Sequence, residues 1–177
     1  MNEKTPSIAI LTGISGSGKS TLLEKLIYDL RSHHISVGGI YTKGYWLQNF
    51  RNQFDLVAIE TNETIPLAFR QSPEEPFTFS KEGLLFGQKA LSHILERDFR
   101  IVIVDEIGPL ETRGEGWAPF LPPLLSLSST RLIVTIRPRL IEWFTSTFQM
   151  QASLIIEANH PNAIETLREF CESSINR

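Results

Sequence analysis

Hydrophobic and polar positions along this chain switch between two periods. Ile8-Ala9-Ile10-Leu11 is a continuous apolar run that predicts a short buried strand. Leu22, Leu23, Leu26, Ile27 and Leu30 then recur at helical spacing. Val37 to Trp46 and Phe54 to Glu60 read as strands, and the short polar stretch 47–53 between them predicts an antiparallel hairpin. Residues 61–80, with Pro66, Pro73 and Pro76, read as an irregular, partly mobile connection. Ser80 is placed to cap a helix from Lys81 whose buried stripe is Leu84, Leu85, Leu91, Ile94 and Leu95.

Ile101-Val102-Ile103-Val104 is a β-branched run, the signature of a central parallel strand covered on both faces. A loop is expected from Gly108 to Gly116, then a helix within Trp117 to Leu127 whose ends Pro122-Pro123 blur. Leu132 to Ile136 reads as another buried strand, Leu140 to Thr147 as a helix and Leu154-Ile155-Ile156 as a strand. Pro161 opens a last helix with Ala163, Ile164, Leu167, Phe170 and Cys171 on one face. The 177 residues carry no repeat, low-complexity tract or linker, which suits one domain over residues 1–177. The pattern predicts a three-layer α/β fold with a mostly parallel sheet and an added β-hairpin.

Composition narrows the partners more than the fold. A net charge of −3, a pI near 5.8 and no Lys/Arg block argue against nucleic acid. The single cysteine, Cys171, excludes an intramolecular disulfide, suits a reducing compartment and is expected to pack in the last helix. His33 and His34 follow the first helix at its C-terminus, where the dipole favours them, and read as solvated residues rather than ligands. Met1 to Ser7 is short and polar, and the apolar run after it is too brief for a signal peptide. Nothing reaches the length of a membrane span, so a cytoplasmic location is expected.

The first strand and first helix flank Gly13-Ile14-Ser15-Gly16-Ser17-Gly18-Lys19-Ser20, a complete G-x-x-x-x-G-K-[ST] pattern. By chance it should occur in fewer than about one in a hundred chains this long. Glycines let successive N–H groups converge on a β-phosphate, and the helix points its positive end at the same anion. Lys19 is expected to bridge the β- and γ-phosphates, and the Ser20 hydroxyl to ligate Mg²⁺. The strand ending at Val104 runs into Asp105-Glu106, and an open parallel sheet collects its ligand at the carboxyl ends of its strands. Asp105 is then expected to hold Mg²⁺, directly or through water, and Glu106 to polarise the attacking water.

Together the glycine loop, Gly38-Gly39-Ile40-Tyr41-Thr42 and Val104-Asp105-Glu106-Ile107-Gly108-Pro109-Leu110-Glu111 resemble the small RecA-like P-loop nucleoside-triphosphatases. That family spans archaea, bacteria and animals, where its members are described as cancer-related nucleoside-triphosphatases. The resemblance covers most of residues 7–175. The glycine loop is general to a huge superfamily, whereas the Asp-Glu-Ile-Gly-x-x-Glu block with the Gly-Gly-x-Tyr-Thr strand is much more specific. It implies a RecA-like fold and Mg²⁺-dependent hydrolysis of ATP, GTP and other nucleoside triphosphates, with low base specificity. It further implies phosphate binding by Gly13, Ile14, Ser15, Gly16, Ser17, Gly18, Lys19, Ser20 and Thr21, metal contact by Ser20 and Asp105, and water activation by Glu106. Pro109-Leu110 stands where many members carry Lys-Met, which removes any role for a lysine there. Glu111 keeps the family's second acid, either as a group supporting the site or as a surface loop carboxylate.

Phosphoryl transfer needs further positive charge, for which Arg137, just past the strand 132–136, is the candidate and Arg113 the alternative. Thr135 reads equally as a γ-phosphate sensor and as an ordinary strand residue. Tyr45, Trp46 and Trp117 could stack on a base or simply pack. Thr42-Lys43-Gly44-Tyr45 begins like a guanine-reading motif but has Tyr where the acid belongs, so base promiscuity is expected. Two competing readings remain. A nucleotide or small-molecule kinase would need a lid rich in arginine, and residues 61–80 contain only Arg70. A nucleotide-dependent adaptor similar to the GTP-binding accessory proteins of molybdenum-cofactor assembly would lack the Asp-Glu-Ile-Gly block. Any protein partner stays unassigned.

Overall fold

The computed structural model describes residues 7–173, so the reading of Met1 to Pro6 lies outside the described residues. In chain order the elements are β1 (Ser7–Thr12), α1 (Lys19–Ser32), β2 (Val37–Leu47), β3 (Phe50–Ala58), β4 (Thr64–Phe69), β5 (Thr78–Phe79), α2 (Lys81–Leu95), β6 (Ile101–Ile107), α3 (Leu121–Leu125), β7 (Arg131–Ile136), α4 (Ile141–Thr147), β8 (Leu154–Glu157) and α5 (Ala163–Glu172). The strands form one sheet in the order β5-β4-β3-β2-β6-β7-β1-β8. From β2 to β8 neighbours run parallel, while β3, β4 and β5 add antiparallel strands at the β2 edge.

Alternation along the parallel strands divides the core into two layers. Ile8, Ile10, Val102, Val104, Leu132, Val134 and Ile136 face α2, α3 and α4, where Leu91, Ile94, Leu121, Leu124 and Phe144 meet them. Ala9, Leu11, Ile101, Ile103 and Ile133 face α1 and α5, against Leu23, Leu26, Leu30, Leu167 and Cys171. The sheet is therefore sandwiched, as the continuous apolar runs require. Gly39 lets β2 approach β6: its φ is 108°, and a Cβ there would lie 2.0 Å from the Ile103 carbonyl oxygen.

Residues 61–80 are not an irregular connection, because β4 and β5 lie within them. Pro66 sits opposite Asp55 at a bulge in the β3–β4 pairing, a position that tolerates a missing N–H, while Leu67 and Ala68 are buried. The hairpin turn is also tighter than expected. Strands β2 and β3 pair out to Leu47 and Phe50, with Gln48 in left-handed conformation at φ 54°. The polar letters at 47–53 reflect a hairpin tip that projects toward solvent. Within α2, Leu85 points outward, and Pro122-Pro123 leave α3 only five residues. Pro161 precedes the last helix, which begins at Ala163. Among the described residues no helix is long and apolar enough to cross a membrane.

Candidate active site

The carboxyl ends of β1, β6 and β7 bring together the glycine loop, Asp105-Glu106 and Arg137, with Thr42 of β2 beside them. In the loop Gly13, Gly16 and Gly18 have φ of 147°, 82° and 89°, which side-chain-bearing residues rarely adopt. Added Cβ atoms at Gly16 and Gly18 would meet nothing within 4 Å, so these backbones face open space. The Ser17 hydroxyl is buried without a hydrogen-bond partner among the described residues. Lys19 Nζ donates to the carbonyls of Gly13 at 2.8 Å and Ile14 at 2.9 Å, drawing the loop into a ring. Burial holds the Lys19 pKa below the ordinary lysine value, against the opposing pull of the Glu106 and Asp105 carboxylates.

Asp105 is fully buried and accepts five hydrogen bonds. Oδ2 takes the Thr42 amide at 2.9 Å, the Thr42 hydroxyl at 2.8 Å and the Ser20 hydroxyl at 2.9 Å. Oδ1 takes the Glu106 amide at 3.0 Å and the Thr135 hydroxyl. Thr135 also accepts from the Glu106 amide at 2.7 Å, so its hydroxyl is committed on both sides. Its proton points to Asp105, so in this structure it supports the acid pair.

Glu106 owes its position to a β-bulge. Val104 pairs with Val134 and Ile107 with Ile136, so Asp105 and Glu106 together oppose Thr135. Glu106 sits at φ 61°, left-handed for a residue with a Cβ. The bulge turns adjacent side chains apart: Asp105 into the sheet, Glu106 into the cleft. Burial first, then the Asp105 charge, raise the Glu106 pKa above the usual carboxylate value, opposed by Lys19, Arg137 and Arg51.

A cleft of about 280 Å³ joins these parts, lined among others by Gly16, Gly18, Lys19, Ser20, Thr42 and Glu106. No group of three or more His, Cys, Asp or Glu side chains among the described residues could hold a metal alone. The donor set instead fits Mg²⁺ that takes most of its ligands from phosphate and water. Ser20 gives its proton to Asp105, which leaves the hydroxyl lone pairs free for the ion, and Asp105 supports that arrangement.

The remaining sequence candidates separate clearly. Arg137 lines a smaller apolar cavity that Glu106 also borders. Arg113 is exposed and pairs with Glu115 at 3.3 Å, away from the cleft. Glu111 is buried, not on the surface. It accepts from the amides of Gly108 at 2.7 Å and Trp117 at 2.9 Å, closing the loop after β6, and burial raises its pKa. Trp117 is core, packed over Gly87, whereas Tyr45 and Trp46 are exposed on the cleft wall. Lys43 pairs with Glu24 of α1 at 2.8 Å. Thr42 and Arg51 escaped the sequence reading as site residues. In the sequence Thr42 stands out as the last letter of the Gly-Gly-x-Tyr-Thr strand and the first of Thr42-Lys43-Gly44-Tyr45, and Arg51 lies in the stretch that reads as a turn.

A glycine loop closed by Lys19, with a buried acid and a cleft-facing acid on a strand two places away, defines a P-loop nucleoside-triphosphatase site. The family model described as NTPase matches residues 8–166, and the chain belongs to that family of nucleoside-triphosphate-hydrolysing enzymes. The chain is 30% identical over 137 residues to the nucleoside-triphosphatase THEP1 of Pyrococcus abyssi, with 75% of each chain covered. It is 22% identical over 167 residues to that of Caldivirga maquilingensis, covering 94% of this chain and 95% of the relative. The fold matches the crystal structure of THEP1 from Aquifex aeolicus with a TM-score of 0.71 and 18% identity, covering 93% and 99% of the two chains. It also matches the solution structure of a human cancer-related nucleoside triphosphatase, with a TM-score of 0.65, 21% identity and coverage of 93% and 94%.

Proposed function

We propose that this chain, as a single domain, hydrolyses ATP, GTP and other nucleoside triphosphates to diphosphate and phosphate in a Mg²⁺-dependent reaction, with Glu106 activating the water. The observation that carries the reading is the division of labour at the bulge. Asp105 spends both oxygens on protein donors, while Glu106 turns a carboxylate of raised pKa into the cleft beside Lys19. Water bound to Glu106 attacks the γ-phosphorus and gives its proton to the carboxylate, as the bond from that phosphorus to the bridging oxygen breaks. Residues Gly13 to Thr21 hold the phosphates, and Lys19 and Arg137 supply positive charge. Ser20, supported by Asp105 directly or through water, would hold Mg²⁺, which would neutralise charge on the phosphates.

Hydrolysis is favoured over a kinase reaction because residues 64–69 and 78–79 are strands of the sheet rather than a lid. Low base specificity is supported by Tyr45, which stands where a guanine-reading acid would be. Phosphate release from ATP, GTP, CTP and UTP, with Mg²⁺ and with excess chelator, tests the reading. Turnover of all four that stops in chelator is expected. Hydrolysis of one base alone, or undiminished turnover in chelator, would contradict it.

A further inference from the structure

Facing the glycine loop across the cleft is Arg51, at the tip of the β2–β3 hairpin, where it pairs with Trp46 beside a bulge. Its guanidinium lies 5.2 Å from the ring centroids of both Trp46 and Phe54. The floor beneath it is Gly44, where a Cβ would come within 2.7 Å of Arg51 Nε and 2.9 Å of Cζ. The Nε group is buried and has no hydrogen-bond partner among the described residues. Two aromatic faces and a missing side chain thus fix the plane of a cation whose donors are unspent. Arginine offers a rigid fork that matches phosphate oxygens, and stacking on rings fixes it without occupying those donors. The cation shares its cleft with Lys19, Ser20 and Glu106.

We propose that Arg51 is a second catalytic cation, donated in cis by the hairpin, that contacts the γ-phosphate and stabilises the charge developing on its oxygens during transfer. The inference rests on the triphosphatase reading above. Arg51 donates hydrogen bonds and moves no proton: the water proton goes to Glu106, and the electron pair of the breaking P–O bond leaves with the nucleoside diphosphate. Arg51 and Arg137 then approach from different walls, one from the hairpin and one from the end of β7. The added antiparallel strands acquire a purpose, since they carry a cation to a parallel-sheet site.

The test compares wild type, Arg51→Gln, Arg51→Lys, Arg51→Ala and Gly44→Ala in Mg·ATP turnover, in ADP binding, and in binding of Mg·ADP with aluminium fluoride, a mimic of the transferring phosphoryl group. Arg51→Gln should lower kcat by about 10³-fold, as removal of a transition-state arginine does. It should weaken the aluminium fluoride complex by a similar factor while leaving ADP affinity unchanged, which also shows that the variant is folded. Arg51→Lys should recover only part of kcat, because it restores charge without the fork. Gly44→Ala should lower kcat by displacing an intact guanidinium, and added guanidinium ion should partly rescue Arg51→Ala. Unchanged kcat in Arg51→Gln, or a loss confined to KM, would overturn the inference. If wild type hydrolyses and Glu106→Gln does not, full activity in the Arg51 variants sinks this proposal alone. A wild type without turnover sinks both readings.

Discussion

The backbone amide of Glu106 donates to the Thr135 hydroxyl at 2.7 Å, and that hydroxyl donates onward to Asp105. One buried threonine on β7 therefore holds both members of the acid pair on β6. Without it the Glu106 amide would keep only its longer bond to Asp105 Oδ1, at 3.0 Å, and Asp105 would lose a donor. Thr135→Val should cost about 1–3 kcal/mol in satisfied hydrogen bonding, which as a raised barrier is roughly 10- to 100-fold in kcat. Affinity for a non-hydrolysable triphosphate should barely change, and Thr135→Ser should recover most of the activity. Lost affinity with unaltered kcat would instead make Thr135 a direct phosphate contact.

The left-handed backbone at Glu106 gives a second handle. That conformation costs an ordinary residue about 1–2 kcal/mol, whereas Asn tolerates it well. Glu106→Asn also removes a carboxylate that burial disfavours. The variant should melt about 2–4 °C above wild type for a chain of this size while losing turnover. An unchanged or lower melting temperature would show that residue 106 carries no backbone strain.

Lys19 closes the glycine loop through two carbonyls as well as facing the phosphates. Charge-assisted hydrogen bonds contribute about 1.5–3 kcal/mol each, so Lys19→Ala should weaken ATP binding by roughly 10- to 100-fold or more. Adenosine binding, measured by calorimetry, should fall far less. Equal losses for both would remove Lys19 from the phosphates.

The first half of the site was legible because local letters encode it: glycines that must adopt unusual φ, a lysine and a serine at fixed spacing, and two acids after a β-branched run. The two-layer core was equally legible, since Ile101 to Val104 and Leu132 to Val134 are apolar on both faces. The hairpin side was harder to read. Arg51 and its neighbours are polar because the tip projects toward solvent, and polarity alone imitates a turn. Pro66 disguised β4 because a bulge accommodates it. Glu111 takes one partner from three residues away and the other from six, and Thr135 takes both of its partners from another strand, which no local spacing reveals.

Cys171 reports on the core at high pH. Burial pushes its thiol up to about 12, from an ordinary value of 9.0. The native thiol keeps its proton while the unfolded one ionises, so the native state binds more protons and stability falls as pH rises from about 9 towards 12. The slope from this group approaches about 1.4 kcal/mol per pH unit within that window. Denaturant unfolding of wild type and Cys171→Ala between pH 8 and 10.5 should show a steeper loss in wild type. Parallel curves would mean that the thiol titrates alike in both states.

Glu106→Gln tests the mechanism most directly, since it keeps the size and the backbone of the residue and removes only the proton acceptor. Phosphate release from Mg·ATP and nucleotide affinity should be measured on the same preparation. Turnover reduced at least about 100-fold with affinity intact is the expected result, the loss that removal of a general base produces. Undiminished turnover in Glu106→Gln would contradict water activation at this bulge and move the chemistry to another group.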